Sequence, residues 1–357
     1  MPEADLAHVL ANTRDVWAKA RGQRILVTGA TGFFGAWLLE TFAHANRALE
    51  LGAELVALKL PHEDLVRRAP HLATLPGVTF VNGDILTLRA DSLAAQLPEG
   101  PPLKITHGIH AAIHVDAATF EADPLATLDS ALMGTRQTLE VLREAGARRV
   151  LLASSGAVYG PQPPELETIP EDFPGGPDPA APGSAYAEGK RASETLCACY
   201  QRTHGIEAVI ARCFAFVGPH LPLDRQFAIG NFMRDALRGG PIRVLGDGTP
   251  LRSYLHAADL ATWLWTILFQ GNAGRAYNVG SDEAVPIAEV ARQVAAACDR
   301  PPLVEIHGQP VPGAAPNRYV PSIRRARDEL GLTPRIGLAD SIARTLRWHA
   351  ARDGAAA

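Results

Sequence analysis

Arg24-Ile-Leu-Val-Thr-Gly-Ala-Thr-Gly-Phe-Phe-Gly35 is the stretch that decides the fold of this chain. It reads as an apolar strand over Ile25 to Val27, a glycine-rich turn, and a helix from about Phe34 to Ala45. A β-branched run, then three glycines, then an amphipathic helix is the context that a dinucleotide-binding turn requires. Gly29 permits the tight turn, Gly32 lets backbone approach a pyrophosphate, and Gly35 lets the helix pack close to the strand. The helix N-terminus offers unpaired N–H groups and partial positive charge to phosphates. The alternative is a strand-turn-helix with no ligand. Glycines at these positions weigh against it, because each costs backbone entropy on folding.

Outward from that turn, strands alternate with helices. A second strand covers Glu54 to Leu58, a third Val78 to Asn82, a fourth Ile105 to Ile109 and a fifth Val150 to Ser155. Pro124 to Ala145 carries a helical pattern, as does Ser184 to Gln201, and Val209 to Phe216 reads as a sixth strand. This rhythm predicts an α/β fold of the Rossmann type, a doubly wound parallel sheet. The eight prolines between 161 and 183 make that stretch a loop. Residues 1–22 read as a helix on the outside of the domain. Beyond residue 217 the pattern turns irregular, with helices over Phe227 to Gly239, Ala258 to Phe269 and Pro286 to Cys298, which suggests a smaller lobe at the carboxyl edge of the sheet.

The second strand of a dinucleotide fold ends beside the adenine ribose, where a carboxylate suits NAD and a basic residue suits NADP. Lys59 stands there, with Arg67 and Arg68 close behind, so the reading leans toward NADP. A solvent-facing lysine is the alternative. Asp84 follows the third strand as a candidate partner for the adenine amino group, or as an ordinary turn residue. Ala111 and Ala112 follow the fourth strand, and their small side chains suit close approach of a cofactor. The full candidate cofactor set is Gly29, Thr31, Gly32, Phe33, Phe34, Gly35, Lys59, Asp84, Ile85, Ala111, Ala112, Tyr186 and Lys190.

Composition narrows the classes. Across 357 residues the net charge is −4, which argues against a nucleic-acid or anionic-membrane binder. The longest apolar run, Leu260 to Phe269, is too short to span a bilayer. Cys197, Cys199, Cys213 and Cys298 lack zinc-ligand spacing and read as reduced thiols, and no metal site is expected. The amino end has neither a basic stretch nor an apolar one of the secretory kind. A cytoplasmic protein is the expectation.

The chemistry centres on Tyr186-Ala-Glu-Gly-Lys190. Tyr and Lys four apart share a helix face, where an ammonium favours a phenolate and lowers the Tyr pKa. Ser155, ending the fifth strand, belongs at the same sheet edge. A serine hydroxyl, a tyrosine and a lysine then surround one oxygen of a carbonyl or alcohol, with Tyr186 moving the proton.

Together the motifs Thr28-Gly-Ala-Thr-Gly-Phe-Phe-Gly35, Asn82-Gly-Asp84, Ser154-Ser-Gly-Ala-Val-Tyr-Gly160 and Tyr186-x-x-x-Lys190 resemble the extended short-chain dehydrogenase/reductase superfamily. So do Gly246-Asp-Gly-Thr-Pro-Leu-Arg-Ser-Tyr-Leu-His-Ala-Ala-Asp-Leu260 and Tyr277-Asn-Val-Gly280. Within it the chain is similar to the NAD(P)-dependent nucleotide-sugar epimerases, dehydratases, decarboxylases and 4-ketoreductases. The match runs from about residue 23 to 300, after the helical extension over 1–22, and it implies a dinucleotide-binding domain over 23–216 and mainly a nucleotide-sugar lobe over 217–357, with 250–270 returning to the first domain. It implies Ser155, Tyr186 and Lys190 as the catalytic set, bound NAD or NADP, and Arg252 clamping the sugar-nucleotide diphosphate. Asn231 falls at the nucleotide end, with Ser155 also touching substrate. His256 and Asp259 are read as positioning their loop. A homodimer through helices 124–145 and 184–203 is implied as well.

Departures from the family pattern restrict the reaction. The 4,6-dehydratases carry an Asp-Glu pair after the strand-end Ser/Thr, and here Gly156-Ala157 stand there. The decarboxylases usually place a Glu in the same stretch, which is also missing. Ala215 replaces a common Asn. The expected reaction is therefore nucleotide-sugar 4-epimerisation. The alternative is NADPH-dependent 4-ketoreduction, ahead of 4,6-dehydration, decarboxylation or a non-catalytic NAD(P)-binding role. Polysaccharide biosynthesis is the expected setting, by analogy.

Overall fold

The computed structural model describes residues 1–60, 69–113, 122–225 and 227–355, with side chains as far as 352. Arg67 and Arg68 lie outside the described residues. Helix α1 (Glu3–Thr13) comes first, followed by β1 (Arg24–Thr28), α2 (Phe33–Ala48), β2 (Glu54–Lys59) and β3 (Val78–Asn82). Next are α3 (Ala90–Ala94), β4 (His107–His110), α4 (Pro124–Glu144), β5 (Arg149–Ser155), α5 (Ala185–His204), β6 (Glu207–Cys213) and β7 (Phe216–Val217). The remainder is α6 (Ala228–Leu237), β8 (Ile242–Val244), β9 (Leu251–Arg252), β10 (Leu255–His256), α7 (Ala257–Gln270), β11 (Ala276–Val279), β12 (Val285–Pro286), α8 (Ile287–Ala296), β13 (Val304–Ile306), β14 (Arg318–Tyr319), α9 (Arg324–Leu330) and α10 (Leu338–Ala355).

Seven strands form one parallel sheet in the order β11-β6-β5-β4-β1-β2-β3. The order reverses between β1 and β4, so the carboxyl ends of these two strands flank a crevice, the usual ligand position in such sheets. Strands buried on both faces read as continuous apolar runs, and β1 and β5 do so. One face packs against α2 and α7, with α1 lying on those two helices, and its core includes Trp17, Ile25, Leu38, Phe42, Leu151, Trp263 and Trp265. The other face packs against α4 and α5 through Leu26, Leu139, Leu142, Leu152 and Cys197. Helix α7 is buried from Ala257 to Phe269, which explains why its sequence is apolar all round. It brings residues 257–270 into the same core as β1 and α2. Beyond the sheet, α6, α8, β8 and β12 gather around Val217, Ile229, Phe232, Val290 and Ile342.

Three sequence expectations are corrected. Residues 1–22 are not one outer helix: α1 ends at Thr13, and a short 3-10 turn over Trp17–Ala20 drives Val16, Trp17 and Ala20 into the core. The Trp17 ring meets Trp265 with centroids 4.7 Å apart. The sixth strand stops at Cys213, because Phe214 and Ala215 carry the chain across to a separate parallel pair, β7 with β10. The fourth strand begins at His107 rather than Ile105, though Ile105 is buried. Strand β11, seen in sequence only as a motif, is the seventh strand of the sheet.

Candidate active site

The parallel registers gather Thr28, Lys59, Asn82, His110, Ser155 and Cys213 at one sheet edge. At its centre, Gly29 has φ +77°, a left-handed conformation that glycine adopts freely. A Cβ there would lie 2.7 Å from the backbone of Ala111 and Ala112. A Cβ on Gly35 would lie 2.3 Å from the Ala30 carbonyl oxygen, so strand and helix require hydrogen at that position. Gly32 differs: it is exposed, caps α2, and an added Cβ would meet only the Gly29 oxygen at 3.4 Å. Its outer side is open, and as the N-cap of α2 it brings no side chain of its own to the N–H groups of the first turn. This cradle fits a dinucleotide phosphate.

The other members of the candidate cofactor set divide. Phe33 and Phe34 put their rings into apolar packing, Phe34 edge-on to Phe216 with centroids 5.2 Å apart. Ile85 buries its side chain against Gly134. For these three, the backbone is the part left for a ligand. Thr31, at the turn, is partly exposed. Asp84 accepts from Leu86 N at 2.9 Å, the local turn geometry the sequence left open. Ala111 and Ala112 sit against the Thr28 carbonyl and hydroxyl. Lys59 is buried, and its Nζ donates to Asn82 Oδ1 at 3.0 Å; burial lowers its pKa.

Ser155 and Tyr186 meet at the end of β5, where the serine hydroxyl works to lower the phenol pKa. Ser155 Oγ also accepts from Ala157 N at 3.1 Å, capping the short helical turn over Gly156–Tyr159. Lys190 is one helical turn behind Tyr186. Its Nζ donates to Ala153 O at 2.8 Å, so the ammonium is anchored to β5. Burial brings its pKa down to about 8. The expectation that Lys190 lowers the Tyr186 pKa is corrected. Burial pushes the phenol up, and the neighbouring Ser155 hydroxyl offsets this only in part. In the ligand-free protein Tyr186 is the neutral phenol.

Helix α5 comes this close to α4 because Gly189 has no side chain: a Cβ there would lie 2.7 Å from Ala131 Cβ. Ser193 Oγ donates to Ala131 O at 2.8 Å across the same contact. Behind the site, Glu194 takes a bidentate pair from Arg212 and accepts from Ser154 Oγ at 2.6 Å. Arg212 Nη1 also donates to Tyr159 OH at 2.8 Å, and that hydroxyl donates to Asn278 Oδ1 at 2.7 Å. This network ties α5 to β5, β6 and β11, and so fixes the helix that carries Tyr186 and Lys190. His110 is wholly buried, its Nδ1 beside Thr28 Oγ1 at 2.8 Å, and burial with the Lys190 charge brings its pKa to about 3.

Sequence reasoning missed Tyr319. It sits beside Ser155, and burial raises its pKa above the usual phenol range. Its ring packs on Phe214 at 4.7 Å between centroids. A Cβ on Gly156 would lie 2.6 Å from the Tyr319 hydroxyl and 2.7 Å from Phe214 Cζ. Tyr319 arrives by β14 pairing with β9, which sets it opposite Arg252. No local motif marks it.

Arg252 donates to the Leu251 and Asn317 carbonyls, at 2.8 and 3.3 Å. Among the described residues no carboxylate lies within ion-pair distance of it, unlike a surface salt bridge. Asn231 is on α6, where its Oδ1 accepts from Arg234 at 2.9 Å, separate from the Ser155 cluster. His256 caps α7 through Nδ1, and Asp259 accepts from His8 and from the backbone of Arg335 and Ile336. Among the described residues no helix is long and apolar enough to cross a membrane.

Residues 25–280 match the family described as NAD dependent epimerase/dehydratase. The chain is 28% identical over 323 residues to UDP-glucuronic acid decarboxylase 1 of Arabidopsis thaliana, covering 90% of this chain and 68% of that protein. Among solved structures it is similar to DesIV of Streptomyces venezuelae, a dTDP-glucose 4,6-dehydratase with NAD and TYD bound. There the identity is 26%, the TM-score 0.75, and the coverage 93% of this chain and 98% of that one. RMD of Pseudomonas aeruginosa, complexed with NADPH, aligns with 27% identity and a TM-score of 0.70 over 92% of this chain and 99% of that one.

Proposed function

We propose a reaction at C4 of a nucleotide-linked sugar for this chain, which belongs to the NAD dependent epimerase/dehydratase family. The favoured reaction is 4-epimerisation. The observation that carries it is the placement of Ser155 beside Tyr186 at the sheet edge, with Gly156-Ala157 next to them. Proton transfer at one oxygen is provided for, while the acid that water elimination or decarboxylation would use is absent from those two positions. A bound nicotinamide supplies hydride removal at C4 and its return to the other face. Ser155 holds the C4 oxygen, and Tyr186 takes its proton and later gives it back. Lys190 keeps positive charge near that oxygen, and Arg252, with its planar fork of donors, holds the diphosphate. NAD or NADP rests on the turn from Gly29 to Gly35, with Thr31, Asp84, Ala111 and Ala112 around it. As in the sequence reading, the active form is a homodimer through α4 and α5.

The alternative is a 4-ketoreductase consuming NADPH, and two observations favour it. Tyr186 rests as the neutral phenol, the form that donates a proton to a keto oxygen. Lys59 stands where an acid would mark NAD. Incubation with UDP-, dTDP-, GDP- and CDP-sugars and their 4-keto forms, following both sugar and cofactor, separates the two. Product without net cofactor change is the expected result. NADPH loss in step with product would sink epimerisation in favour of reduction.

A further inference from the structure

Glu40, His71 and His220 come together from three separate segments, outside the site described above. Glu40 is buried on α2, His71 lies in a 3-10 turn over Pro70–Thr74, and His220 follows β7. His71 Nε2 is 2.9 Å from Glu40 Oε1, and His220 Nε2 is 3.3 Å from the same oxygen. All three donor atoms lie within 4.8 Å of one another. The second carboxylate oxygen is occupied separately, by the α-amino group of Met1 at 2.5 Å. Trp348 packs on the His220 ring at 4.6 Å between centroids.

We propose that Glu40, His71 and His220 bind a zinc ion, with the fourth position left to water. Tetrahedral zinc holds nitrogen and oxygen at about 2.0–2.1 Å, which sets neighbouring ligand atoms roughly 3.3 Å apart. The two carboxylate–imidazole separations already approach that spacing. Two imidazoles and one carboxylate are a recurring zinc donor set with an open position. Both rings turn Nε2 toward Glu40 Oε1; without a metal each donates its Nε2 hydrogen to that oxygen, and a bound ion would take the hydrogen's place, leaving the neutral rings protonated on Nδ1. His220 has φ +69°, uncommon for a residue with a side chain, and such conformations persist where the surroundings impose them. His71 is 47% exposed, which leaves the ion a way in.

A metal here would tie the 70–74 turn and the loop after β7 to α2, the helix that opens at the glycine turn. The inference does not depend on the reaction assigned above. The test uses the full chain, stripped with chelator and titrated with cobalt(II) alone, then zinc alone. One equivalent of cobalt should give a tetrahedral ligand-field band that zinc abolishes, and zinc should raise the melting midpoint. His71→Ala and His220→Ala should each lose both effects. His71→Ala should also melt as the stripped protein does, because its half-exposed ring is removed without opening the core. Absence of the band, or a band of equal strength in both histidine variants, overturns the proposal.

Discussion

Tyr319 and Tyr186 share one neighbour: the Ser155 side chain works against the rise that burial causes in the pKa of each phenol, one held there by β14 and the other by α5. Only Tyr186 has a lysine on the same helix face. If Tyr186 moves the proton, Tyr186→Phe should lower turnover by roughly 10²–10⁴ while leaving the fold intact. Tyr319→Phe removes only a neutral hydroxyl beside Ser155 and should cost about tenfold or less. Steady-state kinetics on the two variants decide this; equal losses would unseat Tyr186 as the proton carrier.

The glycines of the turn should separate by role. Gly35→Ala drives a methyl against the Ala30 backbone and should destabilise by about 3 kcal/mol or more. Gly32→Ala meets almost nothing in the protein and should stay within about 0.5 kcal/mol of the parent. Its effect should appear instead in the titration of NAD or NADP. A Gly32→Ala protein that binds cofactor normally would remove the phosphate from this turn.

Lys59 tests cofactor choice. Lys59→Ala should weaken NADP roughly tenfold and leave NAD nearly unchanged, if the ammonium leaves Asn82 for a 2′-phosphate. Equal effects on both cofactors would assign Lys59 to the Asn82 contact alone.

Acid should unfold this protein early. Burial, together with nearby positive charge at His110, holds His107 and His256 at about 4 and His110 at about 3. Each pKa lies below the unfolded value near 6.5, so the unfolded chain binds more protons between these limits and stability falls as pH drops through that window. Near pH 5 the difference approaches three protons, a slope on the order of 4 kcal/mol per pH unit from these groups. Glu40, depressed to about 2, adds a further loss only below about pH 4.5. Denaturant melts from pH 7 to 4 would show this. His256→Asn should flatten the slope by about one proton; an unchanged slope would contradict a neutral His256.

The glycine turn was legible because its requirements are local. A left-handed Gly29, a cap at Gly32 and a contact at Gly35 lie within seven residues. Tyr186 and Lys190 were legible for the same reason, one turn apart on one helix. Trp17 was misread because a short 3-10 turn, not a continued helix, aims it at Trp265. The Lys190 effect on Tyr186 was misjudged because sequence spacing does not show that Ala153 O takes the ammonium.

By itself the sequence determined the parallel α/β sheet, and it marked the glycine turn and Ser155, Tyr186 and Lys190 as candidates, since periodicity and short motifs encode contacts between near neighbours in the chain. Only the tertiary structure decided that Tyr319 reaches Ser155, that Tyr186 is held neutral, and that Glu40 meets His71 and His220. Those outcomes depend on strand register, on burial, and on loops that bring distant residues within hydrogen-bond range. None of these leaves a pattern along the chain.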